Sequence, residues 1–202
     1  MGLLDGKVAA ITGAGGALGR EYALAMAQAG AAVAVSDLRL NEARSTADAI
    51  VEAGGRSIAV HTDVTDAAAI DALLDQAESQ LGPLDVMVNV AGIYPRTHVA
   101  DMPEEEWDQV LDTNLKSVFL GTRAALRHML PRQRGVILSV ASGVGMRGAD
   151  RGAHYAASKA GIIAFTRSVA MEVKDAGVRI NCIGPGGTES ALWRVGKSDE
   201  EI

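Results

Sequence analysis

The sequence predicts an α/β protein: one parallel sheet, doubly wound with helices on both faces, in a single domain spanning residues 1–202. Three observations predict it. Short β-branched or apolar runs alternate strictly with longer alanine-rich segments of helical period. The short runs are apolar on both faces, as strands covered by helices on each side must be. No linker, repeat or low-complexity stretch interrupts this alternation. Right-handed crossovers then put a ligand beyond the carboxyl ends of the strands.

Each element follows from local signals. Residues 8–12 form the first strand, and 17–29 a helix ended by Gly30. Residues 32–37 are the second strand, and 42–53 a helix closed by Gly54-Gly55. Residues 57–62 make the third strand. Asp66 is placed to cap a helix running to Leu81, where Gly82-Pro83 stops it. A fourth strand covers 85–89. Residues 104–130 read as one long helix, with acids in its first turn favouring the helix dipole. The fifth strand is 135–139, the last long helix 153–174, and the sixth strand 178–183.

Composition removes several alternatives. A domain of 202 residues buries roughly 70% of its unfolded surface and needs no covalent staples. At 48% hydrophobic and 22% charged, with five prolines, the chain is not a disordered one. The net charge of −6 and 3% aromatic content argue against nucleic-acid binding. One cysteine, Cys182, excludes a disulfide framework, and four scattered histidines show no metal-ligand spacing. The N-terminus lacks the apolar core of a signal peptide, and no run reaches the ~20 residues of a membrane span. A cytoplasmic protein with no metal and no membrane partner is expected.

Two constellations carry chemistry. Thr12-Gly13-Ala14-Gly15-Gly16-Ala17-Leu18-Gly19 joins the first strand to the first helix. Glycines there let the backbone turn tightly and approach a pyrophosphate held at the helix N-terminus. Asp37 ends the second strand, where a carboxylate accepts both hydroxyls of an adenosine ribose and repels a 2′-phosphate. The alternative is a cap for the next helix, and Arg39 could instead meet a phosphate. The second constellation is Tyr155 and Lys159, four apart and so on one helix face. An ammonium beside a phenol favours phenolate, giving an acid–base group usable near neutrality. Ser142 falls at the carboxyl edge of the sheet, and Asn114 sits inside a helix where asparagine has poor propensity.

Together these residues resemble the short-chain dehydrogenase/reductase family of the compact, Rossmann-like type, over almost the whole chain. Residues 12–19 resemble its Thr-Gly-x-x-x-Gly-x-Gly loop, with Ala17 in place of the middle glycine. Asn89-Val90-Ala91-Gly92 resembles its Asn-Asn-Ala-Gly motif, with Val90 in place of the second asparagine. Asn114, Ser142, Tyr155 and Lys159 match its tetrad, including the spacing from serine to tyrosine. Asn181 and Pro185-Gly186 match the segment after the sixth strand, and Ser190 stands where the family usually carries a cofactor-contacting threonine.

The resemblance implies hydride transfer between a nicotinamide cofactor and a secondary alcohol or ketone, whether 3-oxoacyl, steroid, sugar or simple alcohol. It implies that Tyr155 donates the proton, Lys159 lowers its pKa and holds the nicotinamide ribose, and Ser142 binds the substrate oxygen. Asn114 would hold a helix kink and a water leading to Lys159. Gly13, Gly16, Leu18 and Gly19 would hold the pyrophosphate, Asp37 the ribose, and Asp63 and Val64 the adenine. Asn89, Ala91 and Gly92 would line the ribose side, with Gly186 and Thr188 near the nicotinamide. With Asp37 uncovered by any cation in the glycine loop, NAD is expected over NADP. Tyr94, Pro95, Arg96 and Met146 are expected to border the substrate cleft, His154 to point away from it, and Trp107, Trp193 and Cys182 to be packing residues, with lining of a substrate pocket as the alternative for Trp193. The substrate lid and a seventh strand are expected to be missing, because the residues end at Glu200-Glu201-Ile202. The long helices 104–130 and 153–174, apolar on more than one face, imply a homodimer or homotetramer. A non-catalytic dinucleotide sensor or scaffold is the alternative; the intact tetrad speaks against it.

Overall fold

Six strands, β1 (Val8–Thr12), β2 (Ala32–Asp37), β3 (Ser57–His61), β4 (Val86–Asn89), β5 (Gly135–Val140) and β6 (Val178–Ile183), lie in one sheet in a computed structural model describing residues 2–186. Their order is β3-β2-β1-β4-β5-β6, and every pairing is parallel. Parallel neighbours need crossovers, which are α1 (Ala17–Gln28), α2 (Leu40–Glu52), α3 (Ala67–Leu81), α4 (Glu104–Leu111), α5 (Ser117–Met129), α6 (Val144–Arg147) and α7 (Ala153–Glu172). The chain winds outward from β1 to β3, then returns to place β4 on the other side of β1. The loops after β1 and β4 therefore diverge and open a crevice between them.

Strand alternation distributes the core to both faces. Ala9, Ile11, Val33 and Val35 pack with Ala23 of α1 and Ala43, Ala47 and Ile50 of α2. The intervening Ala10, Ala34 and Val60 pack on the opposite face with Leu73 and Leu74 of α3 and Leu120 and Ala124 of α5. Both strand faces are buried, so the runs read as continuously apolar. Among the described residues, no helix is long and apolar enough to cross a membrane.

The predicted helix over 104–130 is broken. Residues Asp112–Lys116 form a π turn between α4 and α5, and Leu130–Arg132 tighten into a 3-10 turn. The reason is Asn114, whose side chain bonds the backbone of the loop after β4 and is accommodated by one wider turn. Helix α6 and a 3-10 turn at Val99–Asp101 were not expected from the sequence, because each is too short to show a period. Asp66 does cap α3, accepting from the Ala68 amide at 2.9 Å.

Candidate active site

The crevice begins at the glycine loop. Gly13 takes a left-handed φ of +65°, and a Cβ there would stand 2.8 Å from Ala91 Cα. Only glycine permits that conformation together with the close approach of the loop after β4. Helix α1 starts at Gly16 with no side-chain cap and no acid in its first turn. Its first amides, including those of Leu18 and Gly19, are therefore left for an anionic group. Asp37, nearly buried at the end of β2, accepts the Gly15 amide on Oδ2 at 3.1 Å and the Arg39 amide on Oδ1 at 3.0 Å. Arg39 is 68% exposed and hangs between two carboxylates, with Nε 3.9 Å from Asp37 and a terminal nitrogen 4.0 Å from Glu42.

Beyond β1, the Thr12 hydroxyl accepts the Val90 amide at 3.2 Å, pinning the loop after β4 to the glycine loop. Asn89 is buried, and its amide donates to the Ser139 hydroxyl at 3.2 Å. Asp63 spends Oδ1 on the amide and hydroxyl of Thr65, bonds that hold its carboxyl below the usual range. Val64 packs into the core beside it. The glycine loop meets Asp37 on one side and Ala91 on the other, and its bare helix start, glycine cradle and carboxylate suit a dinucleotide. Thr188, Ser190 and Trp193 lie outside the described residues.

The tetrad residues come from four elements. Asn114, fully buried in the π turn, accepts the Ile93 amide at 2.8 Å and donates to the Ile93 carbonyl at 2.9 Å and the Ser158 hydroxyl at 3.3 Å. Gly92 lies between Asn114 and Lys159, since a Cβ on it would be 3.1 Å from Asn114 Oδ1 and 3.7 Å from Lys159 Nζ. Ser142 follows β5, accepts the Val144 amide at 3.2 Å, and lies close enough to the Tyr155 phenol to lower its pKa. The segment after β6 passes against it: the Gly143 amide reaches the Pro185 carbonyl, one residue before Gly186.

Lys159 is 4% exposed and donates from Nζ to the Val140 carbonyl at 2.7 Å. Burial holds its pKa down to about 8. Its Nζ lies 5.5 Å from the centre of the Tyr155 ring. Burial pushes the Tyr155 phenol up, and Tyr94 adds a further rise. Ser142 lowers the phenol pKa against that burial, and the Lys159 ammonium stands on the ring side.

Tyr94 stacks on Tyr155 at 4.0 Å between centroids, and the Arg96 guanidinium sits 4.6 Å from the Tyr94 ring centre. The sequence signals only that Tyr94 borders the cleft; the stack joins the loop after β4 to the first turn of α7. His154 is fully buried and bonded to Glu106, a contact that no spacing in the sequence reveals.

The family model described as short chain dehydrogenase matches residues 7–201. The chain belongs to that family, and is an NAD(P)-dependent oxidoreductase acting on the carbonyl or alcohol group of a small molecule. It is 46% identical over 187 residues to (5R,7aS)-5-hydroxy-7a-methyl-1-oxo-2,3,5,6,7,7a-hexahydro-1H-indene-carboxyl-CoA reductase of Mycobacterium tuberculosis, covering 91% of this chain and 71% of that protein. It is 36% identical over 196 residues to the 3-oxoacyl-[acyl-carrier-protein] reductase FabG of Escherichia coli, covering 97% and 79%. The crystal structure of a short-chain type dehydrogenase/reductase from Mycobacterium marinum superimposes with a TM-score of 0.89 at 36% identity, covering 94% of this chain and 76% of that one.

Proposed function

We propose that this enzyme interconverts the ketone and secondary alcohol of an acyl thioester, with NAD as cofactor and Tyr155 as the proton donor. The observation that carries the reading is the meeting of Ser142, Tyr155 and Lys159 at the carboxyl edge of β5, with Asn114 behind them. The thioester assignment rests on two relatives named for CoA and acyl-carrier thioesters. The nicotinamide supplies the hydride when bound.

The substrate oxygen accepts hydrogen bonds from the Ser142 and Tyr155 hydroxyls. Because burial keeps the phenol protonated, Tyr155 holds its proton until negative charge develops on that oxygen, then transfers it. The Lys159 ammonium, in a site of low dielectric, opposes the charge left on the phenolate. Asn114 keeps the loop at Ile93 in place and thereby the floor beneath Lys159. In the reverse direction Tyr155 takes the alcohol proton.

NAD is preferred because Asp37 offers carboxylate oxygens to the ribose hydroxyls, and charge-assisted bonds are the strong kind. A 2′-phosphate would meet that carboxylate while Arg39 is already countered by Asp37 and Glu42. Homo-oligomerisation through α5 and α7 completes the reading.

Acetoacetyl-CoA reduction with NADH tests it. Tyr155→Phe should bind NADH as wild type does and lose about 10²–10⁴-fold in turnover. A Phe variant that keeps half the activity removes Tyr155 from the role.

A further inference from the structure

Helix α7 begins without a cap of the ordinary kind. Its N-cap residue is Gly152, which offers no side chain to the first-turn amides. Glycine is required there: a Cβ would stand 2.6 Å from the Tyr94 hydroxyl oxygen and 2.8 Å from Tyr94 Cε2. The tyrosine stacked on Tyr155 thus removes the side chain that would have capped the helix bearing Tyr155. The first intrahelical bond runs from the Ala156 amide to the Gly152 carbonyl, at 2.8 Å. The Tyr155 amide is one donor left over.

His154 takes that donor. Its Nδ1 accepts the Tyr155 amide at 2.8 Å, and its Nε2 lies 3.1 Å from Glu106 Oε1 in α4. An amide can only donate, so Nδ1 carries no proton and Nε2 donates to the carboxylate. The ring is wholly buried, so neither edge has water as a substitute partner. Helix α4 leads straight into the π turn that holds Asn114. One helix therefore anchors the imidazole and, three turns of chain later at most, the asparagine behind Lys159.

We propose that His154, oriented by Glu106, is a positioning residue for Tyr155: it replaces the missing cap of α7 and holds the phenol in register with Ser142. This rests on Tyr155 being the proton donor. His154, wholly buried, and Glu106, bonded to it, act through the Tyr155 backbone. What they set is the backbone on which the donor stands, where a displacement of about 1 Å can cost up to ~10²-fold in rate.

Three variants of the intact chain test it, with acetoacetyl-CoA and NADH as probes. His154→Leu removes both edges of the ring. His154→Asn keeps an acceptor where Nδ1 was and loses the bond to Glu106. Glu106→Leu removes the anchor and leaves every side chain of α7 in place. His154→Leu should lower kcat about 10-fold or more while the calorimetric Kd for NADH stays within about 2-fold. His154→Asn should recover most of that loss, and Glu106→Leu should fall between them. An independent readout needs no turnover: ultraviolet difference titration, with Tyr155→Phe identifying the Tyr155 signal, should show the phenol pKa raised in His154→Leu and restored in His154→Asn. The rise follows from moving the phenol away from Ser142, whose nearness lowers it. If His154→Leu fails to fold, the same split in Glu106→Leu decides. Wild-type kcat and phenol titration in His154→Leu, or in Glu106→Leu should the first not fold, would overturn the proposal. So would a parallel loss of kcat, NADH affinity and thermal midpoint that Asn does not rescue. Activity surviving in Tyr155→Phe would instead overturn the reading beneath it.

Discussion

Single carboxylates and amines decide the chemistry of the crevice, and two of them give measurable signs. Asp37 already accepts two backbone amides, so its position does not depend on a ligand to hold it. Asp37→Ser should weaken NAD binding and narrow the gap to NADP, read as two calorimetric Kd values; tighter NADP binding by the wild-type enzyme would refute the ribose assignment. Lys159 titrates near 8 when folded, against 10.5 as a free side chain. From pH 8 to 10.5 the unfolded chain binds more protons at this residue than the native one, so native stability rises with pH across that window. The cofactor-free wild type should therefore gain stability relative to Lys159→Met as pH climbs from 8 to 10.5. Denaturant midpoints that run parallel for the two proteins would show that burial does not perturb the ammonium.

At the scale of elements, the π turn between α4 and α5 is the feature on which the site depends most directly. A straight α-helix through 104–129 would not present the Asn114 amide to both backbone groups of Ile93 while Asn114 also reaches Ser158 on α7. The turn thus ties the loop after β4 to the helix that carries Tyr155 and Lys159. Removing the amide leaves the part-buried N–H and C=O of Ile93 without this partner, where a fully buried unsatisfied group would cost about 1–3 kcal/mol. Asn114→Ala should lower the thermal midpoint by about 2–4 °C for every kcal/mol lost in a domain of this size. It should also lower turnover with acetoacetyl-CoA. An unchanged midpoint would mean that Ile93 finds other partners and the turn is not held by Asn114.

At the scale of the whole molecule, the outer face of α5 and α7 carries exposed apolar side chains. Phe119 is 41% exposed and meets Phe165 edge-to-face at 6.4 Å. Two adjoining grooves of about 390 and 590 Å³ share these rings, lined also by Leu115 and Leu126 of the π turn and α5. Their inner neighbours Val118, Leu120, Ile162 and Val169 are buried against the sheet, so the helices are apolar on two sides as the sequence predicts. A second copy docking by two-fold symmetry would bury this face. Light scattering at micromolar concentration should give a multiple of the 20.9 kDa chain mass, and Phe119→Glu should shift it toward the monomer. A wild-type monomer at that concentration would refute the assembly.

The order of strands and helices was legible in the sequence because burial on both faces of a parallel sheet leaves long unbroken signals. Val8–Thr12 and Ala32–Asp37 are apolar nearly throughout, and glycines mark where their crossover helices stop. The candidate residues were legible for a different reason: Gly13, Asp37 and Ser142 stand at strand ends and Tyr155 and Lys159 one helical turn apart, while Asn114, inside an expected helix, joined them only through the resemblance to the family's motifs. Tertiary structure alone decided the contacts between them. The break at Asn114 arises because its amide finds Ile93, which is 21 residues away. The stack of Tyr94 on Tyr155 brings the loop after β4 onto the first turn of α7. That stack forces glycine at position 152, and His154 with Glu106 answers it across 48 residues of chain. Hydrophobic period records which face of an element is buried; it carries no trace of which polar atom will stand opposite another once the elements pack. Local pattern therefore determined the scaffold and the cast of residues, and only packing decided their hydrogen bonds, tautomer and degree of burial.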